Sequence, residues 1–164
     1  MASKTQWYIG APKGVILCIN GTQHQQFHGL LYHSYHTEPF PFENAQQMVH
    51  LMEQLYDYLN FPHPGNNERS FREEKKSVRR TTEREKIMSD DALLSKHGDI
   101  GTFIVRVQHR QNSSWQGRIT WMEEDKTIYF RSIWEMIKLI ESAVDTVSEQ
   151  EEDADEAEPV WFGE

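Results

Sequence analysis

The sequence contains one unit twice. With an offset of 88 residues, Gly14–Tyr58 lies over Thr102–Thr146 without a gap. Eight positions are identical: Ile16/Ile104, Gln23/Gln111, Gly29/Gly117, Phe42/Phe130, Met48/Met136, Leu51/Leu139, Glu53/Glu141 and Asp57/Asp145. Many others keep their chemistry, among them Leu17/Val105, Phe27/Trp115 and Leu31/Ile119. A unit recurring at a fixed offset is a supersecondary module that completes its core against its neighbour. No other feature constrains the fold as strongly.

Both copies read alike. Val15-Leu17-Ile19 and Phe103-Val105-Val107 alternate with other residues, the period of a strand. Phe27-Gly29-Leu31 and Trp115-Gly117-Ile119-Trp121 predict a second strand, and Phe40-Phe42 and Ile128-Phe130 a short third. The period then changes. Ala45, Met48, Val49, Met52, Leu55 and Tyr56 fall at helical spacing, as do Ile133, Met136, Ile137, Ile140, Ala143 and Val144. Asn44 and Ser132 precede these runs as N-caps, and Glu135 completes a capping box with Ser132. The shared Gly29 and Gly117 make room for an aromatic ring or the packed helix.

Three strands and one helix leave half a core. The expected fold class is therefore α+β: a tandem, pseudo-twofold pair of β-β-β-α modules forming an antiparallel sheet with two helices on one face. Residues 1–62 form the first module and 101–147 the second. Between them, 63–100 is a charged linker, partly helical, with Asp90–Leu94 as a capped turn; 148–164 is an acidic disordered tail.

Charge narrows the partners. Residues 149–164 carry eight acidic and no basic side chains, and taking them away moves the net charge from -9 to -1. Within 68–86, eight basic residues alternate with five acidic ones. Neither the whole nor the linker is the basic surface that nucleic acid requires. No apolar run reaches membrane-spanning length, and the first residues lack a signal-peptide core. Cys18 is the only cysteine, which points to a reducing cytoplasm.

Chemical motifs are scarce. Phosphate-loop, dinucleotide-binding, zinc-protease and nucleophile-elbow patterns do not occur. Cys18 sits mid-strand among aliphatics, as a buried thiol does. Histidines 24, 28, 33 and 36 lack acidic or thiol partners at zinc spacing; alternation sets 24, 28 and 36 on one side and 33 on the other, with His24 in a hairpin loop. The expectation is a non-enzymatic binding, adaptor or regulatory protein without cofactor or metal.

Function is then sought where the copies differ. Arg106, Gln108, Arg118, Thr120 and Tyr129 share the second copy's non-core strand face, and Arg110 follows on the same parity. That set suits a small anionic, stackable ligand or an acidic peptide. The matched face of the first copy is more apolar and is expected to be covered, and Leu30 and Tyr32 mark it as a protein interface. Trp161-Phe162, after the acidic run, reads as a docking peptide for a protein partner, and the acidic tail itself as a competitor for the arginines.

Arg106-x-x-x-Arg110 followed by Asn112-x-Ser114-x-x-Gly117 resembles the two signatures of PilZ domains, which bind cyclic di-GMP. The resemblance covers about 12 residues. PilZ proteins separate the signatures by a strand and tens of residues, and the repeated module is not a PilZ barrel. It implies a cyclic dinucleotide as the alternative ligand.

Overall fold

The computed structural model describes residues 14–61, 71 and 85–156. The chain forms β1 (Val15–Gln23), β2 (Gln26–Tyr32), β3 (Phe40–Phe42), α1 (Ala45–Leu59), α2 (Asp90–Leu94), β4 (Gly101–His109), β5 (Gln116–Trp121), a 3-10 turn (Met122–Glu124), β6 (Lys126–Phe130) and α3 (Ile133–Glu156). It is an α+β fold: one six-stranded antiparallel sheet, ordered β3-β2-β1-β4-β5-β6, with three helices. No helix among the described residues is long and apolar enough to cross a membrane.

The centre of the sheet is the β1–β4 pair. Ile16 lies opposite Ile104, flanked by the rungs Val15–Val105 and Leu17–Phe103. Both hairpins turn on two residues with positive φ, His24-Gln25 in one and Asn112-Ser113 in the other. In the first hairpin, a two-residue loop between Gln23 and Gln26, this matches the right-handed twist of the flanking strands and places His24 in the turn as expected. Each hairpin also carries a bulge, between Ile19 and Gly21 and between Val107 and His109.

Antiparallel pairing keeps the matched apolar positions of both hairpins on one face. Leu17, Ile19, Phe27, Leu31 and Phe42 join Phe103, Val105, Trp115, Ile119 and Phe130 in a single cluster with the buried sides of α1 and α3. Each fully buried side chain of this kind contributes about 1.5–3 kcal/mol. Both main helices are capped as their sequences predict. The Asn44 side chain accepts from the Gln47 N–H (2.9 Å) and the Ser132 hydroxyl from the Glu135 N–H (3.0 Å). Gln47 and Glu135 reach back to the N–H groups of Glu43 and Arg131.

The second face carries a smaller core, covering the more apolar strands of the first hairpin as their side chains imply. Ile16, Cys18 and Ile104 lie beneath Leu93 of α2 and Met122, with Leu30, Tyr32, Met88 and Leu94 packed around them. The covering segment is tied to the sheet through its backbone. The N–H groups of Ile87 and Met88 donate to Ser34 O, and that of Ile100 to Ile19 O. Asp90–Leu94 is the capped turn expected, with Ser89 as its N-cap. It is also a lid on the sheet, so helices occupy both faces rather than one.

Two further expectations change. Gly29 and Gly117 do not make room for rings. A Cβ on Gly29 would stand 1.9 Å from the carbonyl oxygen of Cys18, and one on Gly117 2.1 Å from that of Arg106, so the neighbouring strand occupies the space. The acidic run is not wholly a disordered tail: α3 continues through Glu156. Glu, Gln and Ala favour helix, and no proline intervenes before Pro159. Trp161 and Phe162 lie outside the described residues.

Gly29→Ala and Gly117→Ala each lower the unfolding free energy by about 2 kcal/mol or more, because backbone must move. Gly21→Ala, whose new methyl meets only the His28 ring, does less harm. Urea unfolding of the three variants checks this; equal small losses would contradict the close strand approach.

Candidate functional site

The second face is covered over β1 and β2 and polar over β5 and β6. The boundary follows the residues. At matched strand positions the first copy has Cys18, Leu30 and Tyr32, which α2 covers, and the second has Arg106, Arg118 and Thr120. An apolar segment laid over arginines would leave charges without water, so cover stops where charge begins.

Arg106 and Arg118 are directly opposite in the β4–β5 ladder. Such residues have Cβ atoms about 5 Å apart, and like charges there disfavour the sheet. Arg118 is opposite Tyr129 on its other side, with its guanidinium 4.6 Å from the ring centroid. That contact offsets about 0.5–1 kcal/mol. The Arg118 Nε is buried without a hydrogen-bond partner among the described residues. Thr120 is buried, and its hydroxyl shares a 2.8 Å hydrogen bond with that of Thr127. Gln108 lies half-buried at the bulge, and Tyr129 is 61% exposed.

The result is a half-face with two guanidinium groups, one stacked on an exposed tyrosine. Guanidinium groups beside an aromatic ring can in general take negative charge and a flat group together.

Arg110 does not belong to this set. The bulge between Val107 and His109 inserts one residue, and the alternation that places Arg106 and Arg110 on one face fails there. Arg110 turns to the helix-bearing side and is 8% exposed. It donates to Asp57 Oδ1 at 2.8 Å and to the Tyr56 carbonyl at 3.5 Å, clamping the end of α1 to the second hairpin. The PilZ-like spacing therefore brings no pair of arginines together. Leu30 and Tyr32 are also not displayed: they are half-buried against the chain's own covering segment, and Lys96 stands 5.4 Å above the Tyr32 ring. The acidic residues through Glu156 belong to α3, whose packed side lies in the opposite core.

A cavity elsewhere in the molecule was not visible in the sequence. His33, Tyr35, His36, Phe40, Leu51, Gln54, Leu55 and Tyr58 line a cavity of about 290 Å³ beside α1. Strand β2 ends at Tyr32, so alternation no longer separates His33 from His36. His33 stacks on Phe40 with centroids 5.2 Å apart, and its Nδ1 accepts from the Tyr35 N–H at 3.0 Å. The proton of the neutral ring is then on Nε2. Among the described residues no group of three or more His, Cys, Asp or Glu side chains is placed to hold a metal.

Two buried groups give direct tests. Burial, then the charge of Glu123, pushes the Cys18 thiol up to about 12, partly offset by Lys96. The native protein therefore resists thiol reagents at neutral pH and reacts on unfolding; fast labelling of folded protein would contradict the burial. Burial, then repulsion from His36, lowers His33 to about 4, against about 6.5 in an unfolded chain. Between those values the unfolded state binds the extra proton, so stability is present above pH 6.5 and falls as pH drops toward 4. The slope is on the order of 1 kcal/mol per pH unit. Denaturant unfolding across this window, steeper for wild type than for His33→Gln, is the check.

No protein-family model, curated protein or solved structure matches this chain.

Proposed function

We propose that the chain is a tandem pseudo-twofold pair of β-β-β-α modules whose second copy works as a binding surface for a protein partner. Several observations support the pairing. Ile16 and Ile104 are repeat mates and also opposite one another; applying the offset to the rung Val15–Val105 yields the rung Leu17–Phe103. The positive-φ turns, the bulges, the tight glycines and the reaching Gln47 and Glu135 all recur at the same offset. The copies share their core and differ in surface.

The observation that carries the function is the Arg106–Arg118 rung beside the Arg118–Tyr129 stack. An anion lying over this rung meets two guanidinium groups at once. Tyr129 is 61% exposed on the edge strand, so an extended segment can lie across the face and over its ring. An acidic segment of another protein, with an aromatic or flat group over Tyr129, fits it best. The setting proposed is the cytoplasm, and the role that of an adaptor or regulatory protein rather than an enzyme. A cyclic dinucleotide is the second reading, favoured only by the pairing of guanidinium with a stacking ring.

The test titrates the protein with a glutamate-rich peptide carrying one tryptophan and, separately, with cyclic di-GMP, by calorimetry. Arg106→Glu and Arg118→Glu each weaken peptide binding about tenfold or more. Binding of the nucleotide alone supports the second reading. Peptide binding indifferent to both variants, or binding of neither probe, overturns the assignment of this face.

A further inference from the structure

The two edges of the sheet are unequal. β3 has three residues with Pro41 in the middle, which offers no N–H to a further strand. β6 has five residues, no proline, and only Phe130 buried. Its side chains include Ile128, 48% exposed although it lies on the core-facing parity, and Tyr129 on the other face. On the helix layer that follows, Trp134 is 65% exposed. Beyond Lys126 at its start this edge carries no charge and no proline, and an unpaired edge of this kind is a template for another strand.

We propose that β6 pairs with β6 of a second copy of this chain, antiparallel and centred on Ile128, to form a twofold dimer with a continuous twelve-stranded sheet. Charge complementarity selects the occupant and the register. With Ile128 opposite Ile128 of the partner subunit, Thr127 faces Tyr129 of the partner subunit. Asp125, at the turn before β6, then faces Arg131 of the partner subunit, just after its strand, and the symmetric pair forms on the other side. Opposite charges and apolar or Thr–Tyr pairs are what an antiparallel ladder rewards. Pairing of like parity keeps the helices of both copies on one side and buries Ile128 against itself. Because Pro41 closes the other edge, the assembly stops at two rather than growing. The dimer stands independently of what the arginine face binds, and it would join two such faces into one surface.

The experiment is sedimentation velocity and light scattering on the full chain over a concentration series. The expected mass is twice the 19.4 kDa of the chain. Ile128→Lys sets two lysines opposite one another and yields monomer with unchanged circular dichroism. Asp125→Arg and Arg131→Asp each raise the self-association Kd about tenfold. The double variant restores it. The Arg131–Glu135 ion pair is lost equally in the Arg131→Asp single and the double variant, so rescue reports opposition across the edge. If Ile128→Lys misfolds, the charge exchange decides. A wild-type monomer at all concentrations, a dimer unaffected by these variants, or an edge that pairs only with a foreign strand overturns the proposal.

Discussion

Everything in this fold hangs on the ladder between β1 and β4. Its rungs are apolar on both faces: Leu17 against Phe103 on one, Ile16 against Ile104 on the other. Antiparallel pairing preserves parity, so the core faces of both hairpins are forced to one side. Both long helices therefore close a single core, and Tyr56 of α1 meets Trp115 of the other hairpin edge to face at 5.5 Å. The same ladder leaves Ile16, Cys18 and Ile104 apolar on the far side, which obliges the chain to supply α2.

That obligation explains why the far side is divided. Cover is needed where the strands present Cys18 and Leu30, and is disfavoured where they present Arg106 and Arg118. The boundary between the lid and the polar half-face is thus a boundary in side-chain chemistry rather than in backbone. Arg110 shows how local the rule is. One inserted residue moves it from a set of surface arginines to the role of a buried clamp on Asp57.

Much of the secondary structure was legible. Alternation marked the strands around Val15 and Phe103, helical spacing marked α1 and the first turns of α3, and Asn44 and Ser132 marked their starts. Arg106, Arg118, Thr120 and Tyr129 were placed together by the same alternation, which holds as long as pairing is regular. The rest was hidden for physical reasons. A bulge is a pairing event between strands and leaves no period in either, so Arg110 was assigned to the wrong face. Leu93 and Leu94 sit in five helical residues, too few to show an amphipathic pattern. His33 and His36 lie past the end of β2, where no period applies. The reach of α3 depended on helix propensity, while composition alone spoke for disorder.

The central ladder also joins residues distant in sequence: Ile19 pairs with Gly101 and Val15 with Val105. Closing that loop is an entropic penalty on folding that grows only logarithmically, by about 0.6 kcal/mol for each doubling of length. Each hairpin, by contrast, closes over a short loop, two residues between Gln23 and Gln26 and six between His109 and Gln116, and forms locally. The order of assembly is thereby biased toward two preformed halves meeting last along Ile16 and Ile104. A change in the number of residues between the two hairpins consequently alters the stability of the sheet only slightly.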